Sequence, residues 1–311
     1  MKRLLTASAF ACLALIPLHA LALDPVPTAA SSQNPWAAHD AKQKVAIKHA
    51  TYDALLQAIV VDDGAATQVA FSVMTQPAKD VMNQYITWLS GLPVSQLNRD
   101  EQVAYWLNLH NVLTLRELDA VGGKGPVDRY RQFPISTMGV FAKPVVTVEG
   151  RELSIDGIVH EVLRPNFKDY PYQYGVFLAA KGAPSLRREA YLGSKIRDQL
   201  QDQARRFVNN GGAKAKGNGL ELSSFYEWWG ADLRGNEPGV RQHLLQYAEP
   251  KLAAKISSAS DTYSYRFDRA IPAFQPRLAL DSDGGGARFG GGGFINGSSG
   301  TGGGGGQGGG S

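Results

Sequence analysis

The stretch Arg99–Leu118, "RDEQVAYWLNLHNVLTLREL", decides how the rest of the chain is read. Between Val103 and Leu115 it is apolar on nearly every face, and a helix that is apolar all round is a buried one. Its start is expected at Asn98 or within Arg99-Asp100-Glu101, where acidic residues occupy the first turn. Three polar residues, Asn108, His110 and Asn111, nevertheless lie in its middle. Asn108 and Asn111 are three apart and share a face. A buried amide without partners costs roughly 1–3 kcal/mol, so each must be hydrogen-bonded. They either clamp loop backbone crossing the helix, the usual fate of buried side-chain amides, or line a polar pocket.

A buried helix needs neighbours on every side. Upstream, Ala41–Val61 has helical spacing through Val45, Ile47, Tyr52, Leu55, Leu56 and Ile59, and Val69–Leu89 continues in that style. Downstream, "KPVVTVEGREL" predicts a hairpin turning at Glu149-Gly150. "SIDGIVHEVLRP" predicts a short helix capped by Ser154 and ended by Pro165. Tyr174–Ala180 reads as a strand running into the loop "KGAPS". "SLRREAYLGSKIRDQLQDQARRFVNN" then reads as a long amphipathic helix interrupted near Gly193. "LELSSFYEW" passes from strand to helix, "VRQHLLQYAEPKLAAKI" is helical with a break at Pro250, and "YSYRFDRAIP" is a last extended segment. The sum is an α+β fold, a helix-dominated single domain with a small sheet over residues 41–280.

The two ends read differently. Basic Met1-Lys2-Arg3, an apolar run to Leu18 and the small residues around Ala20-Leu21-Ala22 predict a signal peptide over 1–22. The apolar run falls short of the ~20 residues a membrane span needs, so no transmembrane helix is expected in the mature chain. Residues 23–40 read as a flexible leader. Asp281–Ser311 holds 17 of the 35 glycines and so reads as a disordered tail. The protein is expected to be exported, to the periplasm or beyond the cell.

Cys12, inside the predicted signal, is the only cysteine. A mature chain without thiols has no disulfides, no cysteine-ligated metal and no cysteine nucleophile. Of the net charge of +4, Lys2 and Arg3 supply two. No basic run marks a nucleic-acid surface, so nucleic acid is not an expected partner. The histidines lack ligand spacing and no phosphate or dinucleotide fingerprint occurs, so neither metal nor cofactor is expected.

The order "YWLNLHNVLTL", "VEGRELSIDGIVHEVLRPNF", "LAAKGAPSLRREAY", "DQARRFVN", "LSSFYEWWGADL" and "YSYRFD" resembles the family called domain of unknown function 547, from about Gln84 to Asp268. The resemblance implies that the "LAAKGAPSL" loop of relatives commonly carries two cysteines, at the places of Leu178 and Ala183. It also implies matches at Asn108, Asn111, His160, Arg187 and Tyr191, with His110 where an aromatic is common. Its biochemical activity is not established.

Two functional readings follow. One is a non-catalytic binding or envelope-associated domain that has lost the thiol chemistry of its relatives, its partner a small molecule or an envelope protein. The other is a cysteine-independent hydrolase or transferase-like enzyme using His160 with Glu161 or another carboxylate. His160 is four residues from both Asp156 and Arg164, so both are candidate neighbours. Asn108, His110, Asn111, Lys181 and Arg187 are the candidate ligand-pocket residues. Lys181, Gly182 and a helix N-terminus after Pro184 would together suit an anion.

Overall fold

A computed structural model describes residues 34–133, 139–233 and 237–275. The predicted signal peptide, most of the leader and the glycine-rich tail lie outside them. The first half of the described chain runs α1 (Ala50–Ile59), β1 (Val60–Asp62), β2 (Thr67–Val69), α2 (Gln76–Ser90) and α3 (Arg99–Ala120). Helix α3 is the axis of the core, with every residue from Glu101 to Leu115 buried. The Asn98 side chain caps it, accepting the Glu101 N–H at 3.0 Å. Tyr105 donates its hydroxyl to the Leu89 carbonyl at 3.0 Å and so ties α3 to α2.

The upstream helices are shorter than the periodicity predicts. Helix α1 begins only at Ala50, because the chain before it is held by side chains of other helices. The Ile47 N–H bonds Glu101 at 3.3 Å, and the His49 ring meets the Tyr85 hydroxyl at 2.6 Å. Strands β1 and β2 form an antiparallel hairpin, and α2 starts only at Gln76, with Pro77 in its first turn. Of residues 34–40, which the sequence predicts as flexible leader, 34–38 are packed, while His39 and Asp40 are exposed. Trp36 is buried and meets Trp106 edge-on at 5.2 Å, while the Ala37 and Ala38 carbonyls accept from Arg99 and Gln102.

The hairpin forms where expected, as β3 (Pro144–Val148) and β4 (Arg151–Ser154). Glu149 and Gly150 both take positive φ, 47° and 76°, the conformation a two-residue hairpin turn demands. Ser154 caps the next helix, α4 (155–166), by accepting the Gly157 N–H at 2.8 Å. Ser154→Ala is expected to cost about 1 kcal/mol, to be read as a lower urea midpoint at unchanged slope. Pro165 does not end α4. A π turn, Ile158–Leu163, precedes the proline, and the Phe167 N–H still reaches the Leu163 carbonyl at 3.0 Å. The wider turn accommodates both the missing N–H and the bulk of the proline ring.

The rest comprises α5 (Ile196–Phe207), β5 (Ala213–Lys216), β6 (Gly219–Ser223), α6 (Ser224–Leu233), α7 (Glu237–Tyr247), α8 (Pro250–Ser258) and β7 (Tyr263–Arg266). β5 pairs antiparallel with β6, and β6 parallel with β7. The fold is helix-dominated α+β as expected, its strands divided among sheets of two, two and three.

The segment between α4 and α5 departs most from expectation. The predicted strand over Tyr174–Ala180 is absent: Tyr172–Gly175 is a 3-10 turn, and the chain after it pairs with no strand. The predicted helix after Pro184 is absent too, and the chain stays irregular until Gly193.

Candidate functional site

Amide side chains replace the missing strand partner and helix. Asn111 donates to the Gly175 carbonyl at 3.0 Å and accepts the Phe177 N–H at 2.9 Å. Asn108 does the same at Tyr191, donating at 2.8 Å and accepting at 2.9 Å. Gln199 of α5 donates to the Ala190 carbonyl and accepts from the Leu192 N–H, both at 2.9 Å, and Gln203 reaches the Ser185 carbonyl at 2.6 Å. Asn108, Asn111 and Gln199 each present one donor and one acceptor to the backbone, as a neighbouring strand would, and Gln203 a donor. Asn108→Ala is expected to cost about 2–4 kcal/mol, since it strips two buried backbone groups of their partner. Thermal melts alongside the Asn83→Ala control check it.

His110 is fully buried on the same helix, with Nδ1 at 3.0 Å from the Asn111 side-chain oxygen. Burial holds its pKa down at about 4, and Arg131, Asp156 and His160 are close enough to act on it electrostatically. Arg131 and Asp156 form a buried ion pair at 2.7 Å, the guanidinium lying 4.9 and 5.0 Å from the Phe133 and Phe141 rings. Asp156, a candidate neighbour of His160, is thus engaged by Arg131. Arg164, the other, pairs with Asp232 at 3.0 Å. His160 stacks on Trp229 with ring centroids 5.5 Å apart, and Glu161 is exposed.

A cleft of about 300 Å³ lies elsewhere, among the β1–β2 turn, the loop at Lys181–Ser185, the end of α5 and the β5–β6–β7 sheet. Lys181 and Ala183 line it; Asn108, His110, Asn111, His160 and Glu161 do not. Arg187 lines an adjoining depression, where Asp202 and Glu189 hold it at 2.6 and 2.5 Å. The structure thus distributes the sequence candidates over three places and brings only Lys181 and its neighbour Gly182 into the cleft.

The loop carrying Lys181 is tightly made. Ala179 is buried with φ of +62°, a left-handed conformation that costs a non-glycine residue roughly 1–2 kcal/mol. Gly182 passes so close to another strand of chain that a Cβ would stand 2.6 Å from the Asp268 nitrogen. Three loop amides are engaged: Lys181 with the Ala270 carbonyl at 2.9 Å, Gly182 with the Asp268 carbonyl at 2.9 Å, Ala183 with the Ala180 carbonyl at 3.1 Å. With no helix after Pro184 and the amides of Lys181, Gly182 and Ala183 engaged, the loop lacks the helix N-terminal anion site expected from its sequence.

Across the cleft, Glu221 is gripped by Lys214 at 2.7 Å, by Lys216 and by Arg266 at 3.4 Å. Hydrogen bonds from Lys214 and Lys216 bring its pKa down to about 2. This group was not singled out in the sequence. Its signal is the alternation in "AKAK", which sets both lysines on one sheet face, with Lys214 directly opposite Glu221.

The all-round buried helix, the hairpin leading into α4 and the loop after it thus stand together in one unit. Residues 94–208 match the family described as "Protein of unknown function, DUF547". The DUF547 match bears out the resemblance over that stretch and covers α3, α4, the amide-clamped segment and α5. It ends before the β5–β6–β7 sheet, so one wall of the cleft lies within it and the opposite wall outside. No curated protein and no solved structure matches the chain. Among the described residues no helix is long and apolar enough to cross a membrane, and no cluster of three metal-ligating side chains occurs.

Proposed function

We propose that this protein is an exported, non-catalytic binding domain, acting in the periplasm or at the cell envelope, that holds a small molecule in the cleft beside Lys181. One observation carries the reading. Ala183 lines the cleft at a place where the DUF547 resemblance implies a thiol in relatives, and no histidine is among the residues around it. A cleft that keeps its walls while lacking both the thiol and an imidazole is suited to retention of a ligand, not to thiol-based acyl transfer. His160 and Glu161 sit on α4, outside that cleft.

The test uses the exposed Ala65 at the cleft wall. The purified protein is screened for thermal stabilisation against a panel of small metabolites, with Ala65→Trp in parallel. The reading expects at least one stabilising compound whose effect disappears in Ala65→Trp. Turnover of a generic ester or amide substrate that is abolished by His160→Gln would overturn it in favour of the hydrolase. Ala183→Cys gives an independent check. It is expected to cost no more than about 1–3 kcal/mol, the range for adding an atom at a buried position. Alkylation of the new thiol should then block binding of the same compound.

A further inference from the structure

We infer that the ligand of this cleft is a small organic anion, anchored by side-chain cations and not by backbone amides. The inference rests on the binding reading above and names its ligand class. The loop amides at Lys181, Gly182 and Ala183 are all hydrogen-bonded within the protein. Charge recognition therefore falls to side chains.

The cations of the cleft differ in what already neutralises them. Arg206 places both Nη atoms on Asp62, at 2.8 and 3.0 Å, so its charge is already countered. Asp63 accepts from the Ala65 and Ala66 amides, and Asp268 from the Ala270 amide, so each is turned into its own loop. Lys181 forms no ion pair among the described residues. Lys214, Lys216 and Arg266 share the single carboxylate of Glu221. That carboxylate is 7% exposed, whereas the three cations are 51–68% exposed. Two of these cations, Lys214 and Arg266, line the cleft together with Lys181, so side-chain cations outnumber the sunken Glu221 carboxylate on that side of the opening. The remaining lining includes Ala183, Phe207, Leu222 and Pro272, an apolar floor for the uncharged part of a ligand. A cleft of about 300 Å³ is at the small end for ligand sites. The fit is to a compact molecule with a carboxylate or phosphate at one end and an apolar body.

The experiment follows the amide resonances of Gly182, Ala183 and Ser223 in the 15N-labelled full chain at fixed ionic strength. Inorganic phosphate and succinate are the anionic probes, and glucose is the neutral one. Saturable shifts with either anion support the proposal, and the probe that saturates at lower concentration distinguishes a phosphate from a carboxylate. The double variant Lys181→Glu/Arg266→Glu is expected to weaken that binding about tenfold or more, in line with the loss of charge-assisted contacts. Lys181→Arg is expected to keep it, and Lys168→Glu, outside the cleft, to change it by less than about twofold. Anion binding untouched by the double variant would overturn the placement. Shifts with glucose but not with either anion would overturn the ligand class and leave the binding reading standing. No shift with any probe, together with an empty thermal screen, would overturn both.

Discussion

Asp156→Asn is expected to lower the unfolding free energy by about 3–5 kcal/mol. The substitution leaves the Arg131 guanidinium, 2% exposed, without its counter-charge. Among the described residues no acceptor stands at its Nε or Nη1, so nothing there replaces the lost charge. Burial alone presses the Arg131 pKa downward, and the Asp156 charge is what opposes that pressure. The loss is a large part of the 5–15 kcal/mol that a folded domain possesses. Urea denaturation at neutral pH reads it directly. Replacing both partners, as Arg131→Met with Asp156→Leu, is expected to recover much of the loss, because well-packed apolar groups often match a buried pair. A double variant as unstable as Asp156→Asn would show that the pair carries structure that apolar packing cannot replace.

The second large effect is on acid stability. Burial holds both His49 and His110 at pKa values of about 4, against 6.5 for the exposed ring. Above pH 6.5 both rings are neutral whether the chain is folded or not, and their contribution is level. Between pH 6.5 and 4 the unfolded chain takes up protons that the folded chain refuses, so stability falls as pH falls. Below pH 4 the folded protein also protonates and this loss levels off. Each histidine accounts for roughly 3 kcal/mol over the window, from 1.36 kcal/mol per pH unit. Unfolding curves at pH 7, 6, 5 and 4 measure the slope. His110→Gln removes one titrating group, so its slope between pH 6.5 and 4 should be the shallower whatever its absolute stability. Parallel slopes would mean that the ring is not buried as a neutral group.

The sequence conveys what depends on neighbours a few residues apart. The apolar surround of α3, the Asn98 and Ser154 caps and the Glu149-Gly150 turn are local, and each stands where its residues indicate. The segment from Tyr174 to Leu192 is different. Its apolar run was read as a strand because buried runs usually pair with strands. Here its backbone is satisfied by Asn108 and Asn111, 64 to 83 residues away. No spacing rule links an amide on a helix to a peptide group at that distance. The cleft was half legible. Lys181 stood out beside a glycine and a proline, but its opposing cations lie on strands whose pairing is nonlocal, and the Arg131–Asp156 pair joins a loop to a helix cap region. Helix periodicity likewise overextended α1 and α2, because nothing in an apolar pattern announces that Glu101 and Tyr85 hold the chain straight before Ala50.

The amide clamps have one more consequence. Asn108 and Asn111 grip main-chain atoms of the loop alone, while Gln199 also donates to the Glu189 carboxylate. Where Asn108 and Asn111 hold the main chain, its path is set independently of side-chain identity, except at positions such as Gly182, where a Cβ would meet the Asp268 nitrogen. Leu178 and Ala183 can occupy their positions on those terms. Other small or apolar residues could be written there while the cleft wall keeps its course, so the same frame is open to different chemistry by substitution at the loop alone.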